Sequence, residues 1–127
     1  MFLDDLKSYL VGKGIAASRI SREIMPDSPD DAIGLFLWAH STPRISDGSG
    51  TRYVQIQCRA VDPDDAYAQA HAIVPFLDSG PDEEVIQLTE SRWTIARIRS
   101  MPKMLKIDSI GRAIYYFEVS LFGDNTP

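Results

Sequence analysis

The stretch RYVQIQCRAVDPDDAYAQAHAIVPFL, residues 52–77, changes its hydrophobic period in the middle, and that change decides the fold class. Up to Ala60 the period is two: Val54, Ile56, Cys58 and Ala60 point one way, and Tyr53, Gln55, Gln57 and Arg59 the other. A strand with one buried face reads like this. From Asp62 onward the period is helical. Asp62 stands at the N-cap, Pro63 at the first helical position where its missing N–H is harmless, and Asp65 at the capping-box site. Ala66, Ala70, Ile73, Val74 and Leu77 form a stripe that needs an apolar partner, and the segment stops at SGP, residues 79–81.

Outward from this unit the same logic assigns the rest. Residues 2–12 place Phe2, Leu3, Leu6, Tyr9 and Leu10 at helical spacing, with Asp4 and Asp5 near the start, Lys7 and Lys13 toward the end, and Gly12 and Gly14 closing the helix. RISREIM, residues 19–25, alternates Ile20, Arg22 and Ile24 as a short strand. After a Pro-Asp corner at 26–31, the run Ala32–Ala39 predicts a central strand buried on both faces. Residues 40–51, HSTPRISDGSGT, read as a loop. EEVIQLTE (83–90) and RWTIARIR (92–99) read as a hairpin or consecutive strands. SMPKMLKIDSIG (100–111) reads as a second loop, unusual for its Met101, Met104, Leu105, Ile107 and Ile110. RAIYYFEVSLFG (112–123) alternates again. The order predicts an α+β domain over residues 1–127: a mixed or antiparallel sheet of about four to six strands, with two helices packed on one face.

A chain of 127 residues suits one domain, and 44% hydrophobic with 24% charged residues is an ordinary globular composition. No run reaches the roughly 18 apolar residues of a membrane span. Acids follow Met1 where a signal peptide needs bases. Cys58 is the single cysteine, which excludes an intrachain disulfide and fits a reducing compartment. The net charge of −5 argues against a general nucleic-acid binder. Charge is uneven, however. Between Ser91 and Arg112 six basic residues face one acid, Asp108, a local balance of +5, so the remainder carries −10. Acids cluster at Asp27, Asp30 and Asp31, at Asp62, Asp64 and Asp65, and at Asp82, Glu83 and Glu84. Such asymmetry suits either plain solvation or complementary faces in an assembly.

No catalytic constellation emerges. The corner DSPDDAIGLF lacks the alternate oxygen ligands, central Gly and distal Glu of a calcium loop, so its aspartates read as turn caps stiffened by Pro26 and Pro29. Cys58, for which His71 or His40 could serve as base, falls on the core face, where a thiol acts as a small hydrophobe, and His71 has no acid three or four residues away to orient it. One Cys and two His are too few for a closed zinc site. Glu23 and Glu90 stand isolated at strand ends. The aromatics alternate as core residues do, with no basic residues interleaved along the strands as a nucleic-acid stacking platform would need. No cofactor, metal or catalytic residue is therefore expected. The 100–112 segment, mixing Met and Leu with Lys103, Lys106 and Arg112, reads either as a protein-contact surface or as apolar groups folded back on the sheet.

Four pieces in order, FLDDLKSYL, MPDSPDDAIGLF, VQIQCRAVDPDDAYAQAHAIVPFL and RAIYYFEVSLF, resemble the minor capsid proteins of long-tailed bacteriophages and prophages over nearly the whole chain. That family's fold looks like that of phage tail terminators. The resemblance implies a non-enzymatic virion protein, made in the host cytoplasm, that forms a hexameric ring at the head–tail junction. Its implied partners are copies of itself, the tail tube protein and a head-connector or neck protein, with no specific nucleic-acid binding and no membrane. WAHSTPRISDGSGT is richer in Ser than the family's motif, so partners of that loop do not carry over. A ring needs two unlike surfaces meeting head to tail. The expected interface residues are Asp27, Asp30 and Asp31 in the corner, Arg44 in the first loop, and Arg97, Arg99, Met101, Lys103, Met104 and Lys106 in the basic segment. Outside the resemblance, an adaptor that binds a protein partner through a sheet edge or the 100–112 loop stays open. A small hydrolase or nuclease would need clustered acids or a Cys–His pair that the sequence does not assemble.

Overall fold

The computed structural model describes residues 1–40 and 49–124. Helix α1 spans Phe2–Gly12, and a 3-10 turn at Ala17–Arg19 leads into β1 (Ile20–Arg22) and β2 (Ala32–His40). Strand β3 (Ser49–Ala60) precedes α2 (Pro63–Ile73), which a 3-10 turn extends through Val74–Leu77. Then come β4 (Ile86–Thr89), β5 (Arg92–Ile107) and β6 (Ala113–Asp124). The strands form one sheet in the order β1-β2-β3-β6-β5-β4, parallel between β1 and β2 and antiparallel elsewhere. The α+β class is as the hydrophobic periods predict.

Both helices lie on one face. Helix α1 packs against β1, β2 and β4, and α2 against β3, β5 and β6. Leu6, Leu10, Ile73 and Leu77 from the helical side meet Leu35, Val54, Ile56, Phe117, Val119 and Leu121 from the sheet, all essentially buried. Each such side chain removed from water contributes about 1.5–3 kcal/mol. Asp62 caps α2 as its position predicts, its carboxylate accepting from the Asp64 N–H at 2.9 Å. At the other end of the sheet Phe2 lies between two guanidiniums, Arg52 at 4.4 Å and Arg92 at 5.3 Å from its ring centre. Arg92 also binds the Asp5 carboxylate at 2.7 Å, so α1 is tied to β3 and β5 by its first turn. Burial, with the like charge of Arg92 beside it, holds the Arg52 guanidinium below its ordinary pKa.

Four expectations change. Strand β1 stops at Arg22, because Glu23 turns into the left-handed region at φ 59° and leaves Ile24 exposed. Strand β2 is buried on both faces only in its first half: Ala32, Ile33 and Leu35 are fully covered, whereas Trp38 is exposed. It is also flanked by the short β1 and so is not central. Of the expected 40–51 loop, His40 ends β2 and Ser49–Thr51 open β3, and residues 41–48 lie outside the described set. The largest change concerns residues 100–111. They are no loop: β5 runs on to Ile107 and pairs with β6 down to Ile107↔Ala113.

Candidate functional site

The acidic corner comes first, because the sequence placed Asp27, Asp30 and Asp31 there as interface residues. Two buried arginines, one on β3 and one just before β6, grip it. Arg59 of β3 donates from Nε to the Asp30 carbonyl at 3.1 Å and from Nη2 to the Pro29 carbonyl at 2.7 Å. Arg112, just before β6, donates to the Asp27 carbonyl and, at 3.2 Å, to the Asp30 carboxylate. Burial, with the like charge of Arg112 close by, holds Arg59 below its ordinary pKa. Asp27, Asp30 and Asp31 are themselves exposed. The corner therefore folds over Arg59 on the otherwise open sheet face, and Ile114, the β6 partner of Arg59, is buried.

Glu23, an isolated acid in the sequence, holds the near side of this corner. Its N–H donates to the Leu35 carbonyl at 2.8 Å, and its Oε1 accepts from the Leu37 N–H at 3.1 Å. Those bonds satisfy the β2 edge beyond the three residues of β1. On this side the edge strand is β1, only three residues long.

The opposite side is different. From Ile98 to Ile107 the outer edge of β5 has no strand beside it among the described residues, since β4 pairs only with residues 92–94. Three register shifts against β6, at Ile98/Ser100, Ser100/Lys103 and Met104/Lys106, bend this arm, and Pro102 sits within it. The connection to β6 is a tight turn. Asp108 Oδ1 accepts from the Ile110 and Arg112 N–H groups at 3.1 and 2.9 Å, Oδ2 from Arg112 Nε at 2.8 Å, and Gly111 takes φ +91°. The Arg112 backbone N–H holds the Asp108 carboxyl below its ordinary range; partial burial opposes this, and the Arg112 side chain and Ile110 N–H reinforce it. The pattern D-S-I-G-R was therefore a legible hairpin turn, an Asx cap followed by a glycine in the left-handed region.

The basic segment divides in this setting. Arg92 is bound to Asp5, Arg97 to Glu83 at 2.7 Å, and Arg112 to Asp108 and Asp30. Arg99, Lys103 and Lys106 are exposed and form no ion pair among the described residues. Met101, Met104, Leu105, Ile107 and Ile110 are exposed on the same arm. Arg44 lies outside the described residues.

The sheet face away from the helices carries rows that cross the strands. One runs Phe36–Gln55–Glu118–Ser100, the next Gly34–Gln57–Tyr116–Lys103. Lys103 Nζ lies 5.4 Å from the Tyr116 ring centre, and the Arg99 guanidinium 5.0 Å from that of Tyr53. Cations and aromatics thus interleave across strands where they do not along the chain. Beside them a cavity of about 410 Å³ is lined by Tyr53, Glu83, Ile95, Arg97, Arg99 and Ser120 with Thr51 and Phe122. Polar and apolar groups share its lining, with the Arg97–Glu83 pair in its wall.

The residues weighed for catalysis do not converge. Cys58 is fully buried, and burial pushes its thiol up to about 12, so it is no nucleophile at neutral pH. His71 is half-buried against Tyr67, ring centres 4.3 Å apart, and the side chain of His40 lies outside the described set. Among the described residues no three His, Cys, Asp or Glu side chains gather as a metal site, and no helix is long and apolar enough to cross a membrane.

With that geometry in hand, comparison with known proteins is informative at one level. A family model described as bacteriophage tail terminator protein matches residues 2–121, from the first turn of α1 nearly to the end of β6. No curated protein matches the chain.

Proposed function

The chain belongs to the bacteriophage tail terminator family, a family of structural tail proteins, and from that premise we propose that it caps the growing tail tube as a ring and contributes to joining the tail to the head. The observation that carries this reading is the extent of the match, which takes in both helices and all six strands. The physical chemistry supports it. A capping ring must offer surfaces for lateral neighbours, for the tube below and for the neck above, yet needs no reaction centre. The molecule has a firmly tied core and corner on one side and an arm with exposed apolar and basic side chains on the other. It acts as one domain, six copies to a ring, assembled in the host cytoplasm and carried in the virion at the head–tail junction. Its partners are its own copies, the tail tube protein and a connector or neck protein. DNA passing through such a ring is not read by sequence. The expected interface is the arm, with Arg99, Met101, Lys103, Met104 and Lys106 at its centre.

Deleting the gene from its phage or prophage and imaging the tails by negative-stain electron microscopy tests this. Uncontrolled, over-long tubes are expected. Tails of normal length that fail to join heads would move the protein to the neck, and intact infectious particles would overturn the reading. The open β5 edge also favours a second reading, an adaptor that binds an unrelated protein there; intact particles would point to it.

A further inference from the structure

We propose that the recess on the open sheet face binds a carboxylate side chain of a protein partner, a Glu or Asp flanked by apolar residues. The proposal goes beyond the ring reading, which calls for no pocket, and it stands or falls separately from it.

The strand register builds the recess. Two rows cross β3, β6 and β5 side by side, Thr51–Phe122–Ile95 and Tyr53–Ser120–Arg97. In the second row the small Ser120 stands between two long side chains, so the surface dips there. Arg99, its guanidinium 5.0 Å from the Tyr53 ring centre, and Glu83, bound to Arg97, complete the lining. The volume of about 410 Å³ falls within the range of ligand pockets, roughly 300–1,000 Å³.

Charge selects the ligand. Two guanidiniums, Arg97 and Arg99, face one carboxylate, Glu83, so the lining keeps one positive charge. Arg97 already holds the Glu83 carboxylate at 2.7 Å, so the geometry suits this group. That pair is 71% and 56% exposed, and pairs so open to water are weak and readily exchanged. Arg99 forms no ion pair among the described residues. Lying by the Tyr53 ring, its planar fork presents two donors to the two oxygens of an incoming carboxylate. A nucleic acid would bring many charges to a surface with one to spare. It would also meet Glu118, next along the same face of β6.

The apolar part of the lining points to a peptide. Tyr53, Phe122 and Ile95 give the recess an apolar wall. Trp38, 54% exposed, has its ring centre 5.5 Å from that of Tyr53 and extends this wall outward. A small free carboxylate would leave that surface in water, whereas a peptide segment covers it. Trp, Tyr and Arg are also the side chains on which protein–protein contacts most depend.

An NMR titration of the full-length protein tests this with acetyl-Gly-Phe-Glu-Leu-Gly-amide and its Gln counterpart. The Glu peptide should shift the backbone amides of Thr51, Tyr53 and Ser120 and bind about tenfold tighter than the Gln peptide. Arg99→Glu should weaken binding about tenfold or more. Ser120→Leu fills the dip while leaving every charge in place, and should abolish it. Glu83→Gln frees Arg97 and should tighten binding about threefold, a gain that no folding defect can mimic. Equal binding of the two peptides, or no shift at millimolar peptide, would overturn the proposal. Inorganic phosphate bound as tightly as the Glu peptide would make the recess a bare anion site and overturn it too. So would tighter binding of oligothymidylate, which would make the face a nucleic-acid platform. None of these failures touches the ring reading, which tail length tests.

Discussion

The acidic corner and the β5 arm look alike in the sequence: each mixes charge with proline between two apolar runs. In the fold they are opposites. The corner at residues 26–31 is closed from beneath by Arg59 and Arg112, which spend their donors mainly on its backbone carbonyls. The arm carries exposed apolar groups and cations that form no ion pair among the described residues. Charge at a turn is thus informative only once its backbone has been accounted for. A corner whose carbonyls are gripped has an architectural task, and an edge whose side chains are left over is where we propose a contact surface.

The sharpest way to break this contrast is to release the corner. Arg59→Ala removes two charge-assisted hydrogen bonds and strands two carbonyls, and should cost about 2–3 kcal/mol by denaturant unfolding. A loss within the noise would mean that Arg112 and the prolines hold the corner without Arg59. The second prediction concerns the hinge between the two regions, Asp108. Its folded pKa lies below the ordinary 3.8, so its contribution is fully present above that value and is lost as pH falls through the folded pKa. Asp108→Asn should be less stable than wild type at pH 7, with the difference shrinking as pH falls below the ordinary 3.8 and through the folded pKa. A gap that stays constant with pH would deny the charge any part. The smallest effect belongs to the arm. Met101→Ser should change the stability of the isolated protein by no more than about 0.5 kcal/mol, because the side chain is mostly in water already. A larger loss would show that the arm packs inward, as the other reading of these residues had it.

Much of this contrast was legible beforehand, and the misses have physical causes. The period switch at Ala60–Asp62 and the stripe of α1 gave the helices, the core face and the α+β class, because amphipathic periodicity is set by burial. The burial of Cys58 followed from the same alternation. The length of β5 was missed because Met, Lys and Pro102 spoil a strand pattern, yet Pro is tolerated on an edge strand, and this is one. DSIGR held the correction, since its Asp and Gly sit where a hairpin turn needs them. The grip of Arg59 and Arg112 was not legible. Arg59 sits on the polar phase of β3, and only the chain folding back from residue 29 covers it. Likewise, the interleaving of Arg99 with Tyr53 and Lys103 with Tyr116 exists only across strands.

The most direct test of the central claim compares tail lengths by electron microscopy in phage carrying K103E/K106E in the arm or D31K in the corner. The account predicts over-long tails from the arm variant and tails of normal length from the corner variant. Normal tails from the arm variant, with over-long ones from D31K, would contradict it and return the interface to the acidic corner.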